Sequence, residues 1–166
     1  MTYRPEQRSV HCQVMTTTGW LQGTFHVPKN AIFLDQLNLQ RTFFRITDVS
    51  FPGKEYQMSF FALRRQSVTL IVPPLYAKDV VRVEGEDLRV NRVTCIFEGG
   101  VITGNLWMKP NLRVSDFFAK QTGYFVLHRT RLLLGDFRDD FFVEEEHPVA
   151  VVNANGIIGV TEAEFV

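Results

Sequence analysis

Val101-Ile-Thr-Gly104-Asn-Leu-Trp-Met108 alternates in part between apolar and small or polar side chains. It lies between two turn signals, Glu98-Gly99-Gly100 before it and Lys109-Pro110-Asn111 after it. Glycine accepts positive φ without a Cβ clash, and proline stiffens a corner, so this stretch reads as a returning β-strand. Val93-Thr-Cys95-Ile-Phe97 upstream is the strand it returns from. Downstream, Ser115 before Asp116-Phe117-Phe118 suggests a capped helical turn. Gly123-Tyr-Phe-Val-Leu127, continuing through Thr130 to Leu134, reads as a third strand. Phe141-Phe142-Val143 reads as a short fourth one. Val149–Val152, Asn153-Ala-Asn-Gly156 and Ile157–Val160 read as a closing hairpin with Asn-Gly at its turn.

The first half of the chain follows the same plan. Shifting the sequence by 81 residues lays 20–72 on 101–153 without a gap. Gly23 then falls on Gly104, Asp35 on Asp116, Phe44 on Phe125, Phe60-Phe61 on Phe141-Phe142 and Val68 on Val149. The apolar register agrees, with Leu21 on Ile102, Phe25 on Leu106, Ile46 on Leu127 and Ile71 on Val152. Upstream, a shift of 83 lays Val10-His-Cys12 on Val93-Thr-Cys95, which predicts hairpin loops differing by two residues. Copy one departs at Pro73-Pro74, and the segment 75–83 is expected to supply its last strand and the bridge onward. The expected architecture is therefore all-β: two tandem small barrel-like modules, residues 1–80 and 81–166, with only short helical turns.

Composition agrees with that class. Hydrophobic residues make up 45% of 166, enough to bury a core, and the fifteen Phe favour pleated surfaces. Eighteen basic residues match eighteen acidic ones, so no whole-chain field exists to hold a polyanion, and nucleic-acid binding is disfavoured. The start, Met1 to Arg8, lacks an apolar core, and no apolar run reaches bilayer length. The expected location is cytoplasmic, with no membrane contact. Two cysteines, Cys12 and Cys95, do not make a disulfide framework and are expected to be small buried residues.

The chain carries no GxSxG, Walker or GxGxxG motif. His11, His26, His128 and His147 share no metal-ligand spacing, and the acidic run about Glu144-Glu145-Glu146 lacks a calcium-loop pattern. The reading is non-enzymatic, without cofactor or metal. Charge is distributed unevenly. Residues 1–80 carry nine basic and five acidic groups, net +4, and residues 81–166 carry net −4. On the 81-residue alignment Arg64-Arg65 faces Glu145-Glu146 with reversed sign, which suits these four to contact between modules or with a partner. The leading expectation is a binding or assembly module acting through protein contacts or self-association.

Two resemblances add alternatives. The segment around Gly104, the turn at Asn111 and the closing Val149–Val160 segment resemble an Sm-like or SH3-like small barrel. Arg113-Val-Ser-Asp-Phe117 is similar to a segment of small tandem bacterial β proteins. The Sm-like resemblance implies RNA binding as one alternative, although the basic, base-reading loops of such rings have no counterpart here. Arg4-Pro-Glu-Gln-Arg8 and Asp48-Val-Ser50-Phe-Pro-Gly53 resemble the two motifs of PilZ domains. That resemblance implies a cyclic di-GMP sensor in which Arg4, Arg8, Asp48, Ser50 and Gly53 hold the ligand, its phosphates by paired guanidiniums.

Overall fold

The computed structural model describes residues 5–75, 80, 87–135 and 143–162. The chain divides into two units, Met1–Arg82 and Val83–Val166. Both are all-β, with two short α-helices and two 3-10 turns among the described residues. Among the described residues no helix is long and apolar enough to cross a membrane.

Unit 1 consists of β1 (Gln7–Thr16), β2 (Gly19–Pro28), α1 (Phe33–Leu37), β3 (Phe43–Ser50), β4 (Gln57–Arg64), a 3-10 turn at Arg65–Ser67 and β5 (Val68–Val72). Its antiparallel ladders give the order β5-β1-β2-β3-β4. Unit 2 consists of β6 (Arg89–Phe97), β7 (Gly100–Met108), α2 (Val114–Lys120), β8 (Tyr124–Leu134), β9 (Val143–Asn153), a 3-10 turn at Ala154–Gly156 and β10 (Ile157–Thr161). Its order is β10-β6-β7-β8-β9. Among the described residues no ladder joins β4 to β5, or β9 to β10, so each unit's ladders form an open row rather than a closed ring.

The ladder registers correct the alignment in several places. Arg8 pairs with Val27, and Arg89 with Met108, so 81 also relates the first strands. Both hairpins turn through two residues, Thr17-Thr18 and Glu98-Gly99, and the predicted difference in loop length is absent. Cys12 therefore matches Val93, while Cys95 matches Val14. The offset changes after the third strand. Thr47 pairs with Phe60 and His128 with Val149, which sets β4 against β9 at an offset of 89. Ile71 pairs with Val14 and Val160 with Cys95, so β5 and β10 also correspond at 89. Of the eight extra residues, six extend the strands, 132–134 in β8 and 143–145 in β9, and two lengthen the connection between them.

Several expected pairs consequently lie on different elements. Val68 begins β5, whereas Val149 lies in β9. Phe60-Phe61 lie in β4, and Phe141-Phe142 fall outside the described residues. The closing hairpin does not form, because β10 leaves the turn at Asn153–Gly156 and pairs with β6 instead of β9. Among the described residues the last strand of unit 1 is Val68–Val72, and the expected segment 75–83 lies, apart from Leu75 and Val80, outside them. Helix α2 starts at Val114 with Arg113 at its N-cap and no side-chain cap, so Ser115 is not the capping residue.

The third strand bends at one point in each unit. The β2–β3 register shifts between Gln22 and Thr24, and the β7–β8 register between Thr103 and Asn105. The residues that absorb these shifts are Asp48 at φ 52° and Arg129 at φ 49°, the two non-glycine residues of positive φ among those described. An extra residue in a left-handed conformation turns a strand sharply. Glycine stands opposite each bend. A Cβ on Gly23 would lie 3.1 Å from Ile46 Cδ1, and one on Gly104 would lie 2.9 Å from Leu127 Cβ.

A left-handed L-residue carries strain of roughly 1–2 kcal/mol, and glycine removes it at an entropic cost of about 0.5–1 kcal/mol. Asp48→Gly and Arg129→Gly are thus expected to leave stability within about 1 kcal/mol of the wild type, on the stabilising side. Asp48→Val is expected to lose about 1–2 kcal/mol, because branching at Cβ worsens the same clash. Urea unfolding midpoints of the three variants check this.

Each bent sheet wraps a core capped by its helix. In unit 1 Phe25 packs edge-on against Phe33 and Phe44, at 5.5 and 5.6 Å between ring centres. In unit 2 Phe125, at the position of Phe44, packs against Phe118 at 5.2 Å. Leu106 and Val114 stand where Phe25 and Phe33 stand, and Phe118 where Leu37 does. Phe33 and Leu37 of α1 are buried, whereas Val114 and Phe118 of α2 are half-buried.

Candidate functional site

The strand with the most unusual surface is β4, Gln57-Met-Ser-Phe60-Phe-Ala-Leu-Arg64. Its hydrogen-bonded partner is β3, in a single register from Phe43 opposite Arg64 to Ser50 opposite Gln57 that is interrupted at Asp48. Leu63 is buried and Phe61 half-buried, whereas Phe60 is 57% exposed. Tyr56, just before the strand, is 59% exposed. Natural sheets guard exposed strands with prolines, bulges or charges. Here the register holds no bulge, the strand no proline, and its sole charge is Arg64 at the end.

Arg64 is engaged locally, with its guanidinium 5.1 Å from the centre of the Phe43 ring. Arg65 fixes the end of the strand. Its Nε donates to Leu37 O at 3.2 Å and its backbone N–H to Thr42 O at 2.9 Å. Phe60 also borders a hollow of about 380 Å³ shared with Phe25, His26, Arg41 and Phe44. His26 is tied there to Thr47 Oγ1 at 2.7 Å. Among the described residues β4 stands at the end of unit 1's row of strands, with the Phe60 ring exposed on it.

The residues singled out from the sequence do not form a shared site among the described residues. Arg4 lies outside them. Arg8 sits on β1 opposite Val27, and its Nη2 donates to Ala31 O at 2.8 Å. Asp48 forms the bend opposite Gly23 and Thr24, three to four steps back along β2 from Val27, a separation of about 10–13 Å. Ser50 ends β3 opposite Gln22 and Gln57. Gly53, at φ 76°, occupies the turn closed by Lys54 N–H to Phe51 O. Neither hollow described in the two units includes Arg8, Asp48, Ser50 or Gly53.

The proposed charge reversal does not sit at matched positions either. At the offset of 89, Arg64-Arg65 correspond to Asn153-Ala154, and Glu145-Glu146 to Tyr56-Gln57. Glu145 binds His147 Nε2 at 3.0 Å, and Glu146 lies across the ladder from Arg131. Arg131 itself pairs with Glu144 at 2.6 Å.

The histidines are accounted for locally. His11 bonds Thr24 Oγ1 at 2.7 Å, and His128 packs against Trp107 with ring centres 5.1 Å apart. Burial holds the His128 ring below its ordinary pKa, so it is neutral at pH 7. Cys12 and Cys95 are free and buried. Among the described residues no three His, Cys, Asp or Glu side chains cluster closely enough to hold a metal ion.

The exposed strand carries a signal in its sequence that belongs to no catalytic or binding motif. Met58 to Leu63 is a six-residue apolar run broken only by Ser59, the composition of a pairing-prone segment. No family model, curated protein or solved structure matches this chain.

Proposed function

We propose that this chain is a non-enzymatic assembly protein, built from two copies of one Sm-like β module, that joins further copies of itself edge to edge. The two-module reading is supported by the common strand order, the bends at Asp48 and Arg129, and the matched 3-10 turns. The observation that carries the assembly reading is the unguarded strand β4 with Phe60 standing out from it.

A complementary surface exists in unit 2. Among the described residues β10 is hydrogen-bonded to β6 alone, and its Ile158 is 73% exposed. Joining β4 of one chain to β10 of the next is a head-to-tail contact, which builds rings or filaments instead of closed pairs. Strand addition of this kind draws affinity from backbone hydrogen bonds and specificity from alternate side chains. It also brings the half of net charge +4 to the half of net charge −4, so association weakens as salt rises.

Sedimentation velocity between about 1 and 100 μM tests the reading, since protein contacts of this class span micromolar dissociation constants. The expected result is species heavier than the 19.2 kDa chain that grow with concentration. Phe60→Lys and Ile158→Lys each place a charge on one edge and are expected to arrest assembly. Mixed together, the two variants are expected to stop at a dimer, because each retains the edge the other lacks. Wild-type protein that sediments as a single chain throughout this range ends the proposal.

A further inference from the structure

The hollow beside Phe60 owes its position to a fork in the sheet of unit 1. Among the described residues the ladder between β2 and β3 reaches Phe25 opposite Ile46. Beyond that point β2 continues with β1 to Pro28 opposite Gln7, and β3 continues with β4 to Phe43 opposite Arg64. The two strands part at His26-Val27 and Phe44-Arg45, and the edge of the core lies between them. Phe25, Phe33, Leu37 and Phe44, all buried, form the floor.

The rim is of another kind. Arg41, Arg45 and His26 stand on it, with the exposed Phe60 as a wall. No carboxylate lines the hollow, and neither arginine has a hydrogen bond or ion pair among the described residues. His26 Nε2 is tied to Thr47 Oγ1, which holds the imidazole beside the opening. Val80, where the chain after β5 meets α1 at Leu34, does not line it.

The fold does not require these cations. The same fork occurs in unit 2, where the β7–β8 ladder ends at Asn105 opposite His128. At the offset of 81, Thr122 and Val126 stand there for Arg41 and Arg45, Phe117 for Gln36 and Trp107 for His26. Trp107 packs on His128 with ring centres 5.1 Å apart, and Val126 is buried. One unit lines its fork mostly with apolar side chains. The other sets two guanidiniums around an aromatic floor, where a bound charge is partly withdrawn from water and attraction to it strengthens.

We infer that this hollow binds a small anion carried on a flat aromatic ring. The anion, a carboxylate or a phosphate group, meets Arg41 and Arg45, whose planar forks match either group. The ring enters among the phenylalanines, where edge-on contacts add to its burial. A volume of about 380 Å³ lies at the small end of ligand pockets, which suits one or two fused rings. The contrast between the forks rests on the two-module reading, whereas the hollow itself is independent of that reading and of the β4 edge.

2-Naphthoate and 2-naphthyl phosphate share one ring system and differ in the anion. Each is titrated into the full chain and followed by amide shifts in nuclear magnetic resonance spectra. The expected result is saturable binding below about 1 mM, with shifts at His26, Gln36, Arg45 and Phe60. The tighter of the two identifies the headgroup. 2-Naphthalenemethanol, which lacks the charge, and inorganic phosphate, which lacks the ring, are each expected to bind at least about tenfold more weakly. Arg41→Gln and Arg45→Gln, both on exposed side chains, are each expected to weaken binding about tenfold, the worth of one hydrogen bond between charged groups.

No saturation by about 1 mM with either anion, shifts away from the hollow, equal binding of the uncharged ring or of inorganic phosphate, or unchanged affinity in both arginine variants overturns the inference. The titration is repeated on Ile158→Lys, which leaves unit 1 unaltered. Binding retained there supports a site within one unit, and binding lost there overturns it. Wild-type protein that sediments as a single chain ends the edge reading and leaves the titration to decide the hollow alone.

Discussion

Native protein is expected to resist thiol-directed labelling on the order of a thousandfold relative to the unfolded chain. Cys12 lies on β1 and Cys95 on β6, at 4% and 0% exposure. Their registers place them two residues apart in the common frame, so both point to the inward side of their sheets. Burial penalises the thiolate and pushes the Cys95 thiol up to about 12, and it raises Cys12 further still. The thiolate is the reacting species, so at pH 8 its population falls about a thousandfold below that of an ordinary cysteine. Access is restricted by the same packing. Reaction with an aromatic disulfide reagent, followed by absorbance with and without urea, checks this. Two thiols per chain are expected in urea, and almost none react over the same interval in buffer. Rapid labelling of the native protein would mean that the first strand of that unit opens readily.

Leu127→Ala is expected to destabilise the protein by about 2–5 kcal/mol, the range for deleting a fully buried leucine side chain. Leu127 is 0% exposed and lies under the bend at Arg129, with its Cβ against Gly104. The strand cannot collapse into the space, because the left-handed residue and the ladder to β9 fix its path. Ile46→Ala, at the matching place in unit 1, is expected to fall in the same range, since Ile46 is also 0% exposed. Gly104→Ala perturbs this site from the opposite side. Its added methyl would stand 2.9 Å from Leu127 Cβ and 3.1 Å from Thr130 Cγ2, and overpacking of that kind costs about 1–3 kcal/mol. Leu127→Ala combined with Gly104→Ala is expected to lose about the sum of the two single losses, because the atoms the new methyl meets, Leu127 Cβ, Thr130 Cγ2 and His128 O, all remain. Urea unfolding of the single and double variants measures the difference. Ile158→Ala, at 73% exposure, is expected to change stability by less than about 0.5 kcal/mol.

These two sites show where sequence patterns were informative. Gly23 and Gly104, an exact match 81 residues apart, face each other's counterparts across the bend, and both were visible as aligned glycines. The strands β1 to β3 and β6 to β8 were legible because apolar alternation, glycine turns and β-branched residues all pointed to one element type. Beyond the third strand identity misled. The Phe60-Phe61 and Phe141-Phe142 pairs match as letters, but the ladder positions of Phe60 and Phe61 belong in unit 2 to Val149 and Ala150. The residues that do correspond, 57–72 with 146–161, share apolar character without one identical side chain. A strand accepts many apolar residues at an inward position, so packing conserves the pattern and leaves the letters free.

The amino-acid order alone determined that this is a β protein, that it turns at its glycines and prolines, and that similar apolar patterns recur in its two halves. Those properties are local, set by propensity and by side-chain alternation along a few residues. Tertiary structure alone decided which strand the last one joins, where the extra eight residues enter, that Asp48 and Arg129 take a left-handed conformation, and that Phe60 remains outside. Each depends on hydrogen bonds between residues far apart in the chain, and sequence spacing carries no record of which distant backbone a strand will meet.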